Sequence, residues 1–444
     1  MGNNKENYNE KSKKIAPKEE NKEEFSSEKR DTIIIISEII VIILLVAVIF
    51  IALFGGFNKN NSSGNNGGSN NNIGSGDSGS GNVGEDNSNG EGSNSSNDNS
   101  PQPDDYDKDD VIVETNKQSW KTYSFSYFDT ISTIVGYEET QDEFAAVSDE
   151  ALALIGEYHK LFDIYNSYNG INNLHTVNKV INGQHQVVKV DRKIIDMLLY
   201  AKEMHTLTNG KMNIAMGSVL SIWHDYRTEG IDNPKNAKLP PMDKLTEAAK
   251  HTNINDIIID EENCTVFLAD PEMKLDVGAI AKGYAVEMVA KMLEEKGKDS
   301  YTINVGGNIR TIGKKANGEK WLAGIENPTG DPELPYIEYI RLYSNAIVTS
   351  GSYQRYYYVN GKAYHHIIDN ETLMPADRGF LSVSIICKDS GMGDGLSTAL
   401  FCMNLEDGMA LINSLDGVEA VWVGVDEVKH YSDNFSKYID KTQK

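Results

Sequence analysis

Residues 274–283 read Lys-Leu-Asp-Val-Gly-Ala-Ile-Ala-Lys-Gly, a pattern suited to holding an anion. Met273, Leu275 and Val277 alternate around Asp276 as in a short strand, which breaks at Gly278. Ala279, Ala281, Tyr284, Ala285, Met288, Val289 and Met292 then fall at helical spacing. A strand running into a helix leaves backbone N–H groups unpaired at the positive end of the helix dipole. Lys282 stands within the first turn, so the junction is suited to phosphate. The plain alternative is a junction with a solvated lysine, and this stretch alone does not choose between them.

Four further stretches carry groups suited to phosphate and metal. Val305-Gly306-Gly307-Asn308 ends a strand with paired glycines, where the backbone can approach a ligand closely. Thr349-Ser350-Gly351, with Tyr353 and Arg355 beyond, offers hydroxyls and a cation. His365-His366-Ile367-Ile368-Asp369 ends a strand with an imidazole near a carboxylate. Gly393-Asp394-Gly395 opens a helix, with Asp394 near its N-cap and Thr398 four residues on, on the same face. Each has a bland counterpart: a capping Asp394, a His366 bonded to backbone, a Gly306-Gly307 turn. Taken jointly, an Asp carboxylate, a Thr hydroxyl and backbone carbonyls are the hard oxygen donors of Mg²⁺, with room for substrate phosphates. The sequence has no zinc-like Cys/His cluster and no Walker loop.

The elements that must position these residues follow from periodicity. Residues 123–137 read as one strand, and 143–162 and 194–207 as helices, the second ending at Asn209-Gly210. Short strands near 264–269 and 274–277 flank Asp270-Pro271, and a helix starts at Ala279. Strands follow at 301–305, 321–325, 337–342, 346–349, 355–359, 363–368 and 381–388. Helices at 395–403 and 405–415 and a strand at 418–425 close the pattern. Irregular interleaving and hairpin signals such as Asn360-Gly361 predict an α+β fold with mixed, largely antiparallel sheets and packed helices.

The 444 residues carry a formal net charge of −24 and three cysteines. That balance argues against a nucleic-acid partner, which needs a basic face. Cys264, Cys387 and Cys402 lack metal-like spacing and read as small buried hydrophobes. Residues 1–31 read as a charged, disordered tail. Residues 33–54 are nearly continuous Ile, Val, Leu, Ala and Phe, long enough to cross a bilayer, which places a transmembrane helix over 32–57. Basic residues crowd its N-terminal side, putting the N-terminus in the cytoplasm and the rest outside. Residues 58–110, rich in Asn, Ser, Gly and Asp, read as a flexible linker before one folded domain at 111–444.

The order of these motifs resembles the ApbE family of FAD:protein FMN transferases. The resemblance rests on Leu275 to Ala285, Asn304 to Ile309, Gly324-Ile325-Glu326-Asn327-Pro328, Thr349-Ser350-Gly351, His366 to Asp369 and Asp394 to Ala399. It covers the chain from about Tyr127 onward. It implies cleavage of FAD at the pyrophosphate and transfer of FMN to a Thr or Ser of an acceptor protein, with one or two Mg²⁺. By the same resemblance, metal ligands fall on Asp394 and Thr398, with Ser397 and the backbone of Ala279 alongside. FAD contacts fall on Phe128, Tyr165, Lys211, Met212, Asn213, Asp276, Lys282, His366 and Ile368, with Tyr168 competing with Tyr165 for the flavin. The chain departs from the family pattern at Asn213, Ser218, Asn370 and Leu373, and Leu373 stands where glycine takes a positive φ cheaply.

In the mechanism this implies, the metal and Lys282 neutralise the pyrophosphate, and Asp394 is essential. His366 is the general base on the acceptor hydroxyl, since an unperturbed histidine titrates near operating pH. Competing readings are an FAD pyrophosphatase using the same site, a non-catalytic flavin-binding surface protein, and an adhesin suggested only by the anchor. The anchor predicts a cell-membrane location with extracytoplasmic acceptors.

Overall fold

Phe128 and Asp129 turn what reads as one strand into a hairpin. The computed structural model describes residues 114–442, where β1 (Gln118–Tyr127) and β2 (Thr130–Glu138) pair antiparallel across these two residues. Their φ angles are 54° and 51°, the left-handed pair of a tight two-residue hairpin turn. Phe gives no turn signal, so the sequence reads straight through. The expected tail (1–31), membrane helix (32–57) and linker (58–110) lie outside the described residues. Among the described residues no helix is long and apolar enough to cross a membrane.

The hairpin opens an eight-stranded sheet. It continues through β3 (Ser300–Val305), β4 (Asn308–Gly313), β5 (Ala346–Gly351), β6 (Phe380–Cys387), β7 (Glu419–Gly424) and β8 (Lys429–Tyr431). Spatial order equals chain order, and every neighbouring pair is antiparallel. Segments between strands carry the helices. Between β2 and β3 come α1 (Gln141–Phe162), α2 (Arg192–Leu207), α3 (Gly217–Asp232) and α4 (Ala281–Glu295). Between β6 and β7 come α5 (Ser390–Phe401) and α6 (Leu405–Asn413). The α+β architecture with antiparallel sheets is the one expected.

Burial explains the layering. Val286, Val289, Ala290 and Leu293 of α4 pack against Ile134, Tyr301, Ile303 and Ile312 of the sheet. Leu396, Ala399 and Leu400 of α5 join the cluster holding Val348, Val383 and Ile385. Each such aliphatic side chain contributes about 1.5–3 kcal/mol on burial. Ile280 at the N-cap of α4 has no side chain to accept from the first turn, so that bond must come from another element.

Several boundaries differ from expectation. Residues 274–277 are extended, but their one ladder contact is a bridge from Lys274 to Met216, so no strand forms. Helix α4 starts at Ala281 rather than Ala279. Helix α5 starts at Ser390, five residues before the expected position, with Asp389 as N-cap accepting from Met392 N at 3.0 Å. Asp394 is therefore inside the helix and does not cap it. The strand expected to reach Ile368 stops at His365, where Ile367 N turns back to the His365 ring at 3.3 Å. Cys387 and Cys402 are buried and Cys264 is half-buried, all three as free thiols.

Candidate active site

The motif residues converge on one cleft of about 470 Å³. Its walls include Phe128, Tyr165, Lys211, Met212, Asn213, Asp276, Ala279, Lys282, His366, Ile368, Asp394 and Thr398. Of the expected site residues only Ser397 is set behind the wall, fully buried, with Oγ 2.8 Å from Ser350 Oγ. A separate hollow beside α1 holds none of them.

At one end, Asp394 of α5 reaches across to the start of α4. Its Oδ2 accepts the Gly283 N–H at 2.8 Å and lies 3.9 Å from Lys282 Nζ. Burial pushes the Asp394 carboxyl above the usual range, opposed by the Lys282 charge and the Gly283 N–H. Thr398 Oγ1 stands 3.3 Å from Ser350 Oγ. Among the described residues no group of three or more His, Cys, Asp or Glu side chains is placed to hold a metal. One carboxylate with hydroxyl and carbonyl oxygens is the donor set of a hard ion that keeps waters and shares substrate phosphates, so these residues fit Mg²⁺.

Gly306 and Gly307, at φ 57° and 92°, form the β3–β4 hairpin turn. Gly306 N donates to Ile131 O and Gly307 N to Asn304 Oδ1, so neither N–H is free for a ligand. The turn delivers Asn308 to the cleft wall, 2 % exposed, where its side-chain amide acts on the Asp394 carboxyl.

Asp276 is pinned through its backbone: its N–H donates to Ile214 O at 2.9 Å, and Leu275 N donates to Asn178 Oδ1 at 2.7 Å. Its Oδ1 accepts from Gly278 N at 2.9 Å. Enclosure in the cleft pushes its carboxyl up, against the Gly278 N–H and the charge of Arg227. Tyr165 is set by Asp163, whose Oδ1 accepts from the backbone of Tyr165 and Asn166 at 2.7 and 2.9 Å. The Tyr165 ring lies 5.2 Å from the His224 ring and faces the cleft. Tyr168 instead donates to Asp163 Oδ2 at 2.8 Å and is not part of the wall.

His366 follows the hairpin Tyr356–Val359/Lys362–His365. The Arg355 carbonyl accepts from its backbone N at 3.0 Å and lies 3.2 Å from its Nδ1. A carbonyl only accepts, so Nδ1 carries the proton and Nε2 the lone pair. Burial, with the charges of Arg355 and Arg227, pushes this imidazole down to about 3. It does not titrate near neutrality as the sequence suggested.

Lys211 is engaged by Glu371 at 2.8 Å and Asp369 at 3.8 Å, and Met212 is 1 % exposed. The departures at Asn213 and Ser218 are absorbed by neighbouring backbone: Asn213 Nδ2 donates to Thr252 O at 2.9 Å and Ser218 Oγ to Ala248 O at 3.0 Å. Asn370 Nδ2 donates to Gly210 O at 2.8 Å. Sequence reasoning missed His224 and Arg227, which line the cleft from α3. Val219, Ile222 and Trp223 at helical spacing, with His224 and Arg227 three apart, were the available signal.

An antiparallel α+β domain whose cleft gathers one buried carboxylate, hydroxyls and several cations defines a phosphate-handling protein. Residues 128–422 match the ApbE family, and the chain belongs to it. It is 30% identical over 303 residues to an FAD:protein FMN transferase of Klebsiella pneumoniae, covering 68% of this chain and 89% of that one. A Haemophilus influenzae FAD:protein FMN transferase is 28% identical over 296 residues, covering 66% and 81%. The crystal structure of the ApbE protein from Thermotoga maritima superposes with a TM-score of 0.63 at 28% identity, covering 73% of this chain and all of that one.

Proposed function

We propose that this protein is an FAD:protein FMN transferase, anchored in the cell membrane by residues 33–54 with its catalytic domain outside. The observation that carries the chemistry is Asp394, a buried carboxylate held 2.8 Å from the Gly283 N–H and beside Lys282, in one cleft with Tyr165 and His366. Family membership supports the same reading. Asp394 and Thr398, with Ser397 and the Ala279 carbonyl alongside, would hold one or two Mg²⁺. Such an ion neutralises charge on the pyrophosphate when bound.

Lys282 in the first turn of α4 binds the pyrophosphate, and Tyr165 faces the flavin. The acceptor Thr or Ser oxygen attacks the FMN-side phosphorus in line. The new phosphoester bond forms as the bond to the AMP oxygen breaks, and AMP leaves. His366 Nε2 takes the hydroxyl proton, being neutral before substrate arrives. The apolar run at 33–54 and the basic residues before it support the membrane placement and an extracytoplasmic acceptor.

The test incubates the full chain with FAD, Mg²⁺ and a protein bearing a candidate acceptor threonine. An acceptor gaining one FMN, with one AMP released, is expected by intact mass. Free FMN and AMP without an adduct would instead make it a pyrophosphatase. For topology, protease added to intact cells should release the domain; protection alongside a digested surface control would overturn the placement.

A further inference from the structure

Two guanidinium groups in the cleft form no direct ion pair, although the Asp276 carboxyl acts on Arg227 from farther off. Arg227 on α3 and Arg355 at the foot of the 356–365 hairpin both line it. Neither has a carboxylate within 4.0 Å among the described residues, whereas Lys211 has two and Lys282 has one. Helix α3, which carries Arg227, packs on the hairpin that follows Arg355, with Trp223 and Tyr357 in one apolar cluster; burial and then the Arg355 charge hold the Arg227 guanidinium below its usual range.

Their surroundings hold them in place without an ion pair to either guanidinium. Arg227 Nη2 donates to His224 Nδ1 at 3.1 Å; a guanidinium only donates, so that imidazole nitrogen accepts. Tyr165 lies against the His224 ring, which fixes the column from the other side. Arg355 is tied at its carbonyl to both N–H groups of His366. The charges acting on His366 are those of Arg355 and Arg227, while the one acting on Asp394 is Lys282. Arg355 is joined to His366 through its carbonyl, and Lys282 lies 3.9 Å from Asp394, so the cations fall at two places along the cleft. Guanidinium pairs meet phosphate and carboxylate oxygens through paired, directed N–H bonds.

We propose that Arg227 and Arg355 form an oxyanion subsite at the His366 end of the cleft, apart from the Lys282–Asp394 end, which takes a phosphate or carboxylate group. The two sources considered rest on the transferase reading. One is a phosphate of the dinucleotide itself. The other is an acidic side chain beside the acceptor hydroxyl.

The experiment uses the full chain and four variants: Arg227→Gln, Arg355→Gln, the double variant, and Arg227→Lys, which keeps charge but not the fork. Flavin fluorescence measures affinity for FAD against riboflavin, which lacks phosphate. Transfer is measured on two threonine peptides, one with acidic flanks and one with the matching amides. The double variant should lose at least about 10-fold in one preference, the equivalent of about 1.4 kcal/mol. Loss of FAD over riboflavin assigns the dinucleotide phosphate, and loss of acidic over amide peptide assigns the acceptor. Ligand-free melting should be unchanged or higher, because like charges are removed. Both preferences intact in the double variant would overturn the subsite, and a lowered melting temperature with them would make the arginines structural.

A wild-type protein that neither prefers FAD nor modifies either peptide would sink the transferase reading instead. The subsite would then be decided by inorganic phosphate, which should raise the melting temperature of wild type more than that of the double variant. Equal shifts would overturn it.

Discussion

Gly283 at the start of α4 donates its N–H to Asp394 on α5 at 2.8 Å, and Ser390 at the start of α5 donates to Glu287 on α4 at 2.9 Å. In each helix the carboxylate lies four residues after the donor, so each helix caps the other. Glu287 is in turn held by Arg310 of β4 at 3.1 Å, which fixes the pair on the sheet. The carboxylate that would bind metal is thus also the N-terminal cap of the helix carrying Lys282.

Gly283 has no room for a side chain. A Cβ there would meet Ser390 O at 2.3 Å and Asp394 Cβ at 2.5 Å, neither of which is the end of a flexible side chain. Gly283→Ala should cost about 1–3 kcal/mol by overpacking. Asp394 should be displaced with it, so transfer should fall as well. Urea unfolding and Mg²⁺-dependent transfer check this; wild-type values in both would mean the helices part freely.

Asp394→Asn keeps the shape and an oxygen for Gly283 but removes a charge that burial disfavours. The ligand-free variant should melt at or above the wild-type temperature, lose the Mg²⁺-induced shift, and transfer FMN at least about 100-fold more slowly, as for a lost transition-state electrostatic contact. Normal transfer in Mg²⁺ would leave Asp394 only the capping role.

His366 should leave no acid limb in kcat/KM between about pH 5 and 8, because the free protein binds a proton there only near about 3. His366→Ala should lower transfer about 10²–10⁴-fold even at saturating FAD. A limb near pH 6.5 that disappears in the variant would contradict the lowered basicity, and recovery at saturation would remove His366 as the base. Stability carries the same sign. The unfolded chain protonates this ring near 6.5 and the folded protein near about 3, so acidification across that window favours unfolding.

Leu373 takes φ 59°, the left-handed value glycine would adopt at lower cost, and packs 9 % exposed with Trp223 and Tyr357. Its carbonyl also accepts from Trp223 Nε1 at 2.9 Å. The strain costs about 1–2 kcal/mol, and burying the side chain returns about 1.5–3 kcal/mol. Leu373→Ala keeps the strain and loses the packing, so it should destabilise by about 2–3 kcal/mol. Leu373→Gly relieves the strain and should be milder, near 1 kcal/mol. Urea midpoints in the opposite order would show that the leucine is unstrained.

Much of the site was readable because its motifs are short and local. Asp276, Lys282, His366, Asp394 and Thr398 are set by their immediate neighbours, and all five reach the cleft. The start of α5 was hidden because Gly391 and Gly393 look like loop residues. A Cβ at Gly393 would lie 2.9 Å from Val348, so the glycine serves helix–sheet contact instead. The lowered basicity of His366 and the Arg227–Arg355 pair come from groups far apart in the chain, which no local pattern records. The Glu287–Arg310 contact is of the same kind.

The sheet takes its own strands in chain order, yet β2 and β3 are separated by residues 139–299. Closing that connection is the slowest kind of contact for a folding chain to make, since its ends must meet before the pairing repays the lost freedom. The cleft lies across this closure. Tyr165, Arg227, Asp276 and Lys282 come from the inserted segment, and Asn308, Arg355, His366 and Asp394 from the strands and helices after it. Neither half holds a working fraction of the site. A refolding chain should therefore recover its helical signal first and FAD turnover only in its last phase, so turnover reports that the two halves have met.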